Sequence, residues 1–254
     1  MLLAVDVGNT NIVMGIYQDR RLLRTWRLHT NAAVTEDEFA VLAAALISRL
    51  NVDLNDIKKT VISCVVPPMM RTLEAFCCKY TGGAPAWVNA DMVSWMPIRY
   101  ARPAELGADR IVNAVAAFEK YRTDLIVIDL GTATTFDVVS AKGEYLGGAI
   151  TPGINTCAEA LYSRAPKLPK VDLSHPPRLA IGDNSVHSIQ SGILFGYAGL
   201  IDGMIDRMSR EFGKSLKVVA TGGLAGVMSS VSKYIEVIEP DLTLEGLLII
   251  SERL

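Results

Sequence analysis

The sequence predicts an α/β protein of two related lobes, each built on a βββαβαβα core. Three observations predict it. A strand-turn-strand stretch occurs twice, about half the chain apart. The first copy runs Leu2-Leu3-Ala4-Val5-Asp6-Val7-Gly8-Asn9-Thr10-Asn11-Ile12-Val13 and on to Tyr17. The second runs Leu125-Ile126-Val127-Ile128-Asp129-Leu130-Gly131-Thr132-Ala133-Thr134-Thr135 and on to Val139. Each has an apolar run, then Asp-x-Gly, a cluster of small hydroxyl or amide residues, and a second β-rich run, the pattern of a buried strand closed by a turn. Around each copy strands and helical periods alternate. Finally, 254 residues, half of them hydrophobic, suffice for two lobes of roughly 115–140 residues. The division falls at 1–120, ending in a linking helix, and 121–254.

The elements follow in order. After the hairpin 2–17, Arg21 to Leu28 adds a third strand. Thr35-Glu36-Asp37-Glu38 has the spacing of a capping box, and Phe39, Leu42, Ala43, Leu46, Ile47 and Leu50 recur at helical spacing behind it. Thr60 to Val66 is a buried strand stopped by Pro67-Pro68. A helix covers Met69 to Tyr80 and a strand Ala86 to Val88. The loop 101–107 precedes a helix from about Ala108 to Tyr121, with Ile111, Val112, Val115 and Phe118 on one face. In the second lobe the hairpin 125–139 is followed by a strand 144–150, broken by Pro152-Gly153, and a helix near 154–163. The proline-rich stretch 165–179 has no period and predicts a loop. Residues 185–212 form a long helical region, with Gly192 or Gly199 as the place for a bend. A strand 217–221, a short helix 224–230, a strand 236–238 and a helix 244–252 complete the chain.

Composition narrows the function. The net charge of −2 and the lack of a basic run beyond Arg20-Arg21 argue against a nucleic-acid binder. No apolar stretch is long enough for a membrane span, and the first strand meets Asp6 without a basic leader, so no signal peptide is expected. Cys64, Cys77, Cys78 and Cys157 have neither metal nor disulfide spacing, which fits reduced thiols in a cytoplasm.

The chemistry concentrates in four places. In the first turn, Gly8, Asn9, Thr10 and Asn11 can offer amides and side-chain donors to phosphate oxygens, since successive turn N–H groups form anion-binding nests. The Asp6 carboxylate beside them suits a cation that accompanies phosphate. Asp129 with Gly131, Thr132, Ala133 and Thr134 repeats the arrangement, and Thr132, Thr134 and Thr135 make it dense in hydroxyls. Two such turns are suited to the β- and γ-phosphates of a nucleotide. Gly107-Ala108-Asp109-Arg110 opens a helix, where the dipole favours an ionised carboxylate. Asp109 can orient or deprotonate an attacking hydroxyl, and Arg110 can grip an anionic group. Thr221-Gly222-Gly223 links a strand to a helix, where paired glycines let a purine or phosphate approach the backbone. There is no full GxGxxG, which weakens a dinucleotide-binding reading.

The duplicated hairpin resembles that of the actin, Hsp70 and sugar-kinase superfamily (the ASKHA, ribonuclease H-like fold), whose lobes each offer such a turn to ATP. More narrowly, Asp-Val-Gly-Asn-Thr-Asn at 6–11, Gly-Ala-Asp-Arg at 107–110 and Asp-Leu-Gly-Thr-Ala-Thr-Thr at 129–135 resemble the type III pantothenate kinase family. Gly-Gly-Ala-Ile-Thr-Pro-Gly at 147–153, Ala-Thr-Gly-Gly-Leu-Ala at 220–225 and Asp-Leu-Thr-Leu-Glu-Gly-Leu at 241–247 extend the resemblance over essentially the whole chain. It implies ATP-dependent phosphorylation of pantothenate to 4'-phosphopantothenate, the first step of coenzyme A biosynthesis, with Mg2+ and a monovalent cation, K+ or NH4+. It also implies a homodimer with the active site near the subunit interface. Carried over by position, Asp6 and residues 8–11 serve phosphate and Mg2+, the metal directly or through water in its shell. Asp109 is the base, while Tyr100, Gly107, Ala108 and Arg110 line the pantothenate pocket. Asp129 holds the monovalent cation, Gly131 and Thr132 form the second phosphate turn, and Gly222 and Gly223 border adenosine. Ser185, where the family commonly has Thr, would reach pantothenate from the partner subunit.

Other readings compete. An ASKHA kinase for another small alcohol would usually carry longer insertions. An ATP-binding transcriptional accessory factor would bind nucleotide without turnover. A filament-forming actin-like protein would sediment with ATP.

Overall fold

The computed structural model describes residues 1–254, and they divide into two compact units. The first comprises Met1–Lys120 with Asp241–Leu254, the second Tyr121–Pro240.

The first unit opens with β1 (Leu2–Val7), β2 (Asn11–Gln18) and β3 (Arg21–His29), an antiparallel meander. Helix α1 (Glu36–Ile47) follows, its start fixed by the expected capping box. The Thr35 hydroxyl accepts from Glu38 N–H, and the Glu38 carboxylate accepts from Thr35 N–H at 2.9 Å. Strand β4 (Lys59–Cys64) lies parallel to β1, and after α2 (Pro67–Tyr80), with proline in its first turn, β5 (Ala86–Trp87) lies parallel to β4. The sheet order is β3-β2-β1-β4-β5. Leu3, Val5 and Val7 on one face of β1 pack with Phe39, Ala43 and Ile47 of α1 and with Met69, Leu73 and Phe76 of α2. That burial is the main stabilising term, roughly 1.5–3 kcal/mol for each large apolar side chain. Helix α3 (Ala108–Tyr121) ends this part of the chain.

The second unit repeats the plan. Strands β6 (Leu125–Leu130), β7 (Ala133–Val139) and β8 (Tyr145–Pro152) form a meander. Helices α4 (Ile154–Arg164) and α5 (Ser185–Phe212) follow. Strand β9 (Lys217–Thr221) then runs parallel to β6, and after α6 (Ala225–Ser229) β10 (Val237–Ile238) runs parallel to β9. The order β8-β7-β6-β9-β10 matches that of the first sheet strand for strand. Even the burial of the two leading strands is the same, four buried residues, a partly exposed Asp, then a buried one. The duplication is imperfect in its helices, since two α-helices stand between β8 and β9 where one α-helix, α1, stands between β3 and β4. Helix α5 continues through Gly192 and Gly199 without a break.

One boundary differs from the sequence expectation. The last helix, α7 (Leu242–Ser251), belongs to the first unit, not to a second lobe ending at 254. Its Gly246 sits against α3 so closely that a Cβ would lie 2.3 Å from the Val112 carbonyl oxygen. Thr243 donates to Asn113 at 2.8 Å, and Leu244 reaches the β2 backbone at Gly15. Lys59 of β4 donates to the Ser251 carbonyl. The physical reason is long-range packing, which sequence order does not encode.

Candidate functional site

In the first unit the site begins at the carboxyl ends of β1 and β4, where ligands gather in sheets with parallel strands. Asp6 faces Ser63 across this pair, one residue before each strand ends. The turn after β1 is tight: Gly8 N–H donates to the Asn11 carbonyl at 3.0 Å. It is also braced from the residue just beyond β3, because Thr30 N–H donates to the Thr10 carbonyl at 2.9 Å and Thr30 Oγ1 to the Gly8 carbonyl at 2.7 Å. Asn9 and Thr10 are exposed at its tip. Asp6 also acts on Cys64, whose thiol is pushed up chiefly by burial; a bond from the Val66 backbone opposes that shift and the Asp6 charge adds to it.

Beside these strand ends lies a cavity of about 470 Å³, lined among others by Cys64, Val65, Asn89, Leu106, Gly107 and Ala108. Its far wall is the start of α3. The Gly107 carbonyl accepts the first helical bond, from Ile111 N–H at 3.2 Å, so Gly107 caps the helix and Asp109 stands in its first turn. Asp109 Oδ1 accepts from Arg110 N–H at 2.8 Å. Burial pushes the Asp109 carboxyl above its ordinary value, against the opposing pull of the Arg110 N–H bond and charge. Arg110 is itself buried, at 5 % exposure, so it is no solvated surface arm. Tyr100 is half-buried in the irregular segment before α3.

Gly107 has a steric reason to be glycine, since a Cβ there would lie 2.5 Å from Asp109 Oδ1. The carboxylate is the rotatable end of a side chain, so Gly107→Ala is expected to fold normally and to turn Asp109 aside. A catalytic group misplaced by about 1 Å costs roughly 100-fold in rate. Steady-state kinetics beside a melting curve check this; a folded Gly107→Ala protein with unchanged kcat would overturn it.

In the second unit the counterpart lies at the carboxyl ends of β6 and β9. Asp129 pairs in register with Thr221, which leads into Gly222 and the exposed Gly223. Gly222 has φ +93°, and a Cβ on it would come within 2.7 Å of both Asp129 Oδ1 and the Leu130 backbone. Only glycine therefore seats the Asp129 carboxylate here. The turn after β6 is one residue shorter than its partner, since Leu130 pairs with Thr134 whereas Val7 pairs with Ile12. Gly131 N–H donates to the Ala133 carbonyl at 3.1 Å, and Gly131 and Thr132 are exposed. Thus Asp129, Gly131, Thr132, Gly222 and Gly223 gather at one end of one sheet. Ser185 does not join them. Tyr197 of α5 donates to the Pro152 carbonyl at 2.8 Å, and Ser185 lies twelve residues up the helix, about 18 Å along its axis.

The donor sets fit the cofactors that the motifs imply. No group of three or more His, Cys, Asp or Glu side chains is placed to hold a metal. One carboxylate beside a phosphate-binding turn is instead the usual protein contribution to Mg2+, which keeps waters and takes the rest of its shell from phosphates. At Asp129, carboxylate and hydroxyl oxygens supply the hard donors that an alkali cation requires.

The model describing type III pantothenate kinases matches residues 2–207 of this chain. The chain belongs to the type III pantothenate kinase family. A type III pantothenate kinase of Desulfatibacillum aliphaticivorans is 55% identical over 253 residues, covering 100% of this chain and 98% of that relative. Among solved structures, component A of (R)-2-hydroxyglutaryl-CoA dehydratase from Acidaminococcus fermentans aligns with TM-score 0.59 at 15% identity, over 99% of this chain and 98% of the other. MreB 5 of Spiroplasma citri, solved with AMPPNP, aligns with TM-score 0.57 at 9% identity, over 99% and 96%. At such identities these two speak for the two-lobed ASKHA fold alone.

Three residues at the turns escaped the sequence reading. Thr30 braces the first turn, and Gly153 and Thr156 brace the second. Gly153 N–H and Thr156 Oγ1 both donate to the Thr132 carbonyl, at 2.9 and 2.7 Å. A Cβ on Gly153 would lie 2.2 Å from the Gly131 oxygen. The signal was Pro152-Gly153, which reads as a strand stop and hides a tight contact with the turn at Gly131-Thr132.

Proposed function

We infer that this chain phosphorylates pantothenate with ATP, the first step of coenzyme A biosynthesis, with Asp109 as the residue that directs the acceptor hydroxyl. The observation that carries the role of Asp109 is its placement: a carboxylate in the first turn of α3, held by Arg110 N–H and given room by the missing side chain of Gly107, directly after Gly107 and Ala108, which line a cavity of about 470 Å³. Phosphoryl transfer through a loose transition state needs positioning and charge neutralisation more than a strong base. Asp109 supplies the aim. Tyr100, Gly107, Ala108 and Arg110 shape the acceptor pocket, and the buried guanidinium contributes positive charge. Asp6 with Gly8, Asn9, Thr10 and Asn11 takes phosphate and Mg2+. Gly131 and Thr132 take phosphate, Asp129 takes K+ or NH4+, and Gly222 and Gly223 border adenosine. When bound, the metal ions neutralise phosphate charge.

A homodimer fits the surface of α5. Gly192, Gly196 and Gly199 form an exposed stripe with open space where side chains would be, which lets another helix approach closely. Leu179, Ile181 and Val186, at and before its N-terminus, are exposed apolar residues. In such a dimer the exposed Ser185 is available to the partner's acceptor. No helix is long and apolar enough to cross a membrane, and a cytoplasmic location suits a biosynthetic kinase.

The test is ADP release from ATP with purified protein, Mg2+ and pantothenate, in K+ and then in Na+. Pantothenate-dependent turnover that requires K+ is the expected result. Equal turnover in both salts would remove the cation from the reading and keep the kinase. ATP binding without turnover would overturn the kinase in favour of an accessory factor.

A further inference from the structure

We propose that Thr135 is a second protein ligand of the cation held by Asp129, and that Asp137 makes it one by fixing the hydroxyl proton. The proposal rests on the reading of Asp129 as a monovalent-cation site.

Thr135 lies directly opposite Asp129 across the β6–β7 pair. Ile128, Leu130 and Phe136 point into the hydrophobic core of this unit. Side chains alternate along a strand, so Asp129, Thr135 and Asp137 share the other face. Directly opposed residues of an antiparallel pair have Cβ atoms about 4.5–5.5 Å apart, a span that one bound cation can bridge. Thr135 is 9 % exposed and Asp137 fully buried, so both polar side chains are withdrawn from bulk water.

The hydrogen bonds decide what Thr135 can offer. Its Oγ1 donates to Asp137 Oδ2 at 3.1 Å, and the Tyr145 hydroxyl donates to Asp137 Oδ1 at 2.6 Å. A threonine hydroxyl has one proton and two lone pairs. With the proton directed to Asp137, only lone pairs remain to face Asp129. Acceptor oxygens offered from both strands on one face suit a cation and disfavour phosphate at that point. Turning the hydroxyl toward Asp129 would instead take a donor from a buried carboxylate, which is costly. Asp137 is thus a positioning residue, and the side chain of Tyr145 holds it in turn.

The test uses the full chain with ADP and Mg2+, comparing melting in KCl and in choline chloride of equal ionic strength, beside a K+ titration of turnover. Wild-type protein should melt higher in KCl. Thr135→Val keeps the shape and strand preference of threonine, and Thr135→Ala guards against a packing fault in the valine variant. Both are expected to lose most of the K+-specific rise and to need about tenfold more K+ for half-maximal turnover, as for one lost ligand. Thr135→Ser, which keeps the hydroxyl, should behave as wild type. A K+ response unchanged in Val and Ala variants, while Asp129→Asn abolishes it, would overturn the role of Thr135 and leave Asp129 standing. Absence of any K+ response in wild-type protein would overturn both.

Discussion

Replacing Asp109 by Asn is expected to lower kcat by about 10²–10⁴-fold, the usual range for a general acid or base, while the protein stays folded. Asparagine has the same shape, and its side-chain oxygen can still accept from Arg110 N–H, the bond that holds Asp109 at 2.8 Å. What it lacks is the negative charge that the proposed role of Asp109, directing the attacking hydroxyl, requires. KM for ATP should change little, because the residues assigned to phosphate lie in the turns after β1 and β6 and not in α3. Kinetics and a melting curve on the same preparation check this. Near-wild-type turnover in a folded Asp109→Asn protein would remove the residue from the mechanism.

The same variant carries a pH signature. Burial holds the Asp109 proton on in the folded protein to a higher pH than in the unfolded chain. Folding therefore binds a proton in that window. Stability falls as pH rises from the ordinary aspartate range through the raised pKa, and this contribution is flat above it. Asp109→Asn lacks that slope, so above the window it should be at least as stable as wild type. Activity has the opposite sign, since the ionised form is the useful one. The acid limb of kcat/KM should lie above the ordinary aspartate range in wild-type protein, and an acid limb at ordinary aspartate pH would contradict the buried setting.

Much of this site was legible because its signals are local. Asp6 and Asp129 each follow four apolar residues and precede a glycine, and the structure gives both strands the same burial pattern and the same place in matching sheets. The capping box at Thr35 and the helix start at Gly107 are likewise written within a few residues. Contacts between distant segments were not legible. Nothing in Leu242–Ser251 says that it packs on α3 and the first sheet, because an apolar helix face is compatible with either sheet. Gly153 and Gly222 read as turn glycines, yet each is required by a backbone or carboxylate brought in from β6 or the turn after it. Asp137 carried no motif at all. Its interest comes from complete burial beside Thr135 and Tyr145, which only strand register reveals.

Gly222→Ala is expected to destabilise the second unit strongly and to disturb Asp129 as well. The residue has φ +93°, which side-chain-bearing residues rarely adopt, and the strain costs about 1–3 kcal/mol. The added Cβ would also lie 2.7 Å from the Leu130 backbone. That backbone belongs to β6, which is paired on both sides and cannot recede, so overpacking adds roughly 1–3 kcal/mol. The melting temperature should fall by about 4–24 °C for a chain of this size. The third contact separates this variant from a merely unstable one. The Cβ would displace Asp129 Oδ1, which stands 2.7 Å from its position, so the response to K+ should be lost even at temperatures where the variant is fully folded. Gly226→Ala provides the control: it lies one helical turn further on, with open space where its Cβ would stand, and should change neither stability nor K+ response appreciably. A Gly222→Ala protein that melts and responds to K+ like the Gly226→Ala control would mean that Asp129 is not seated by this glycine.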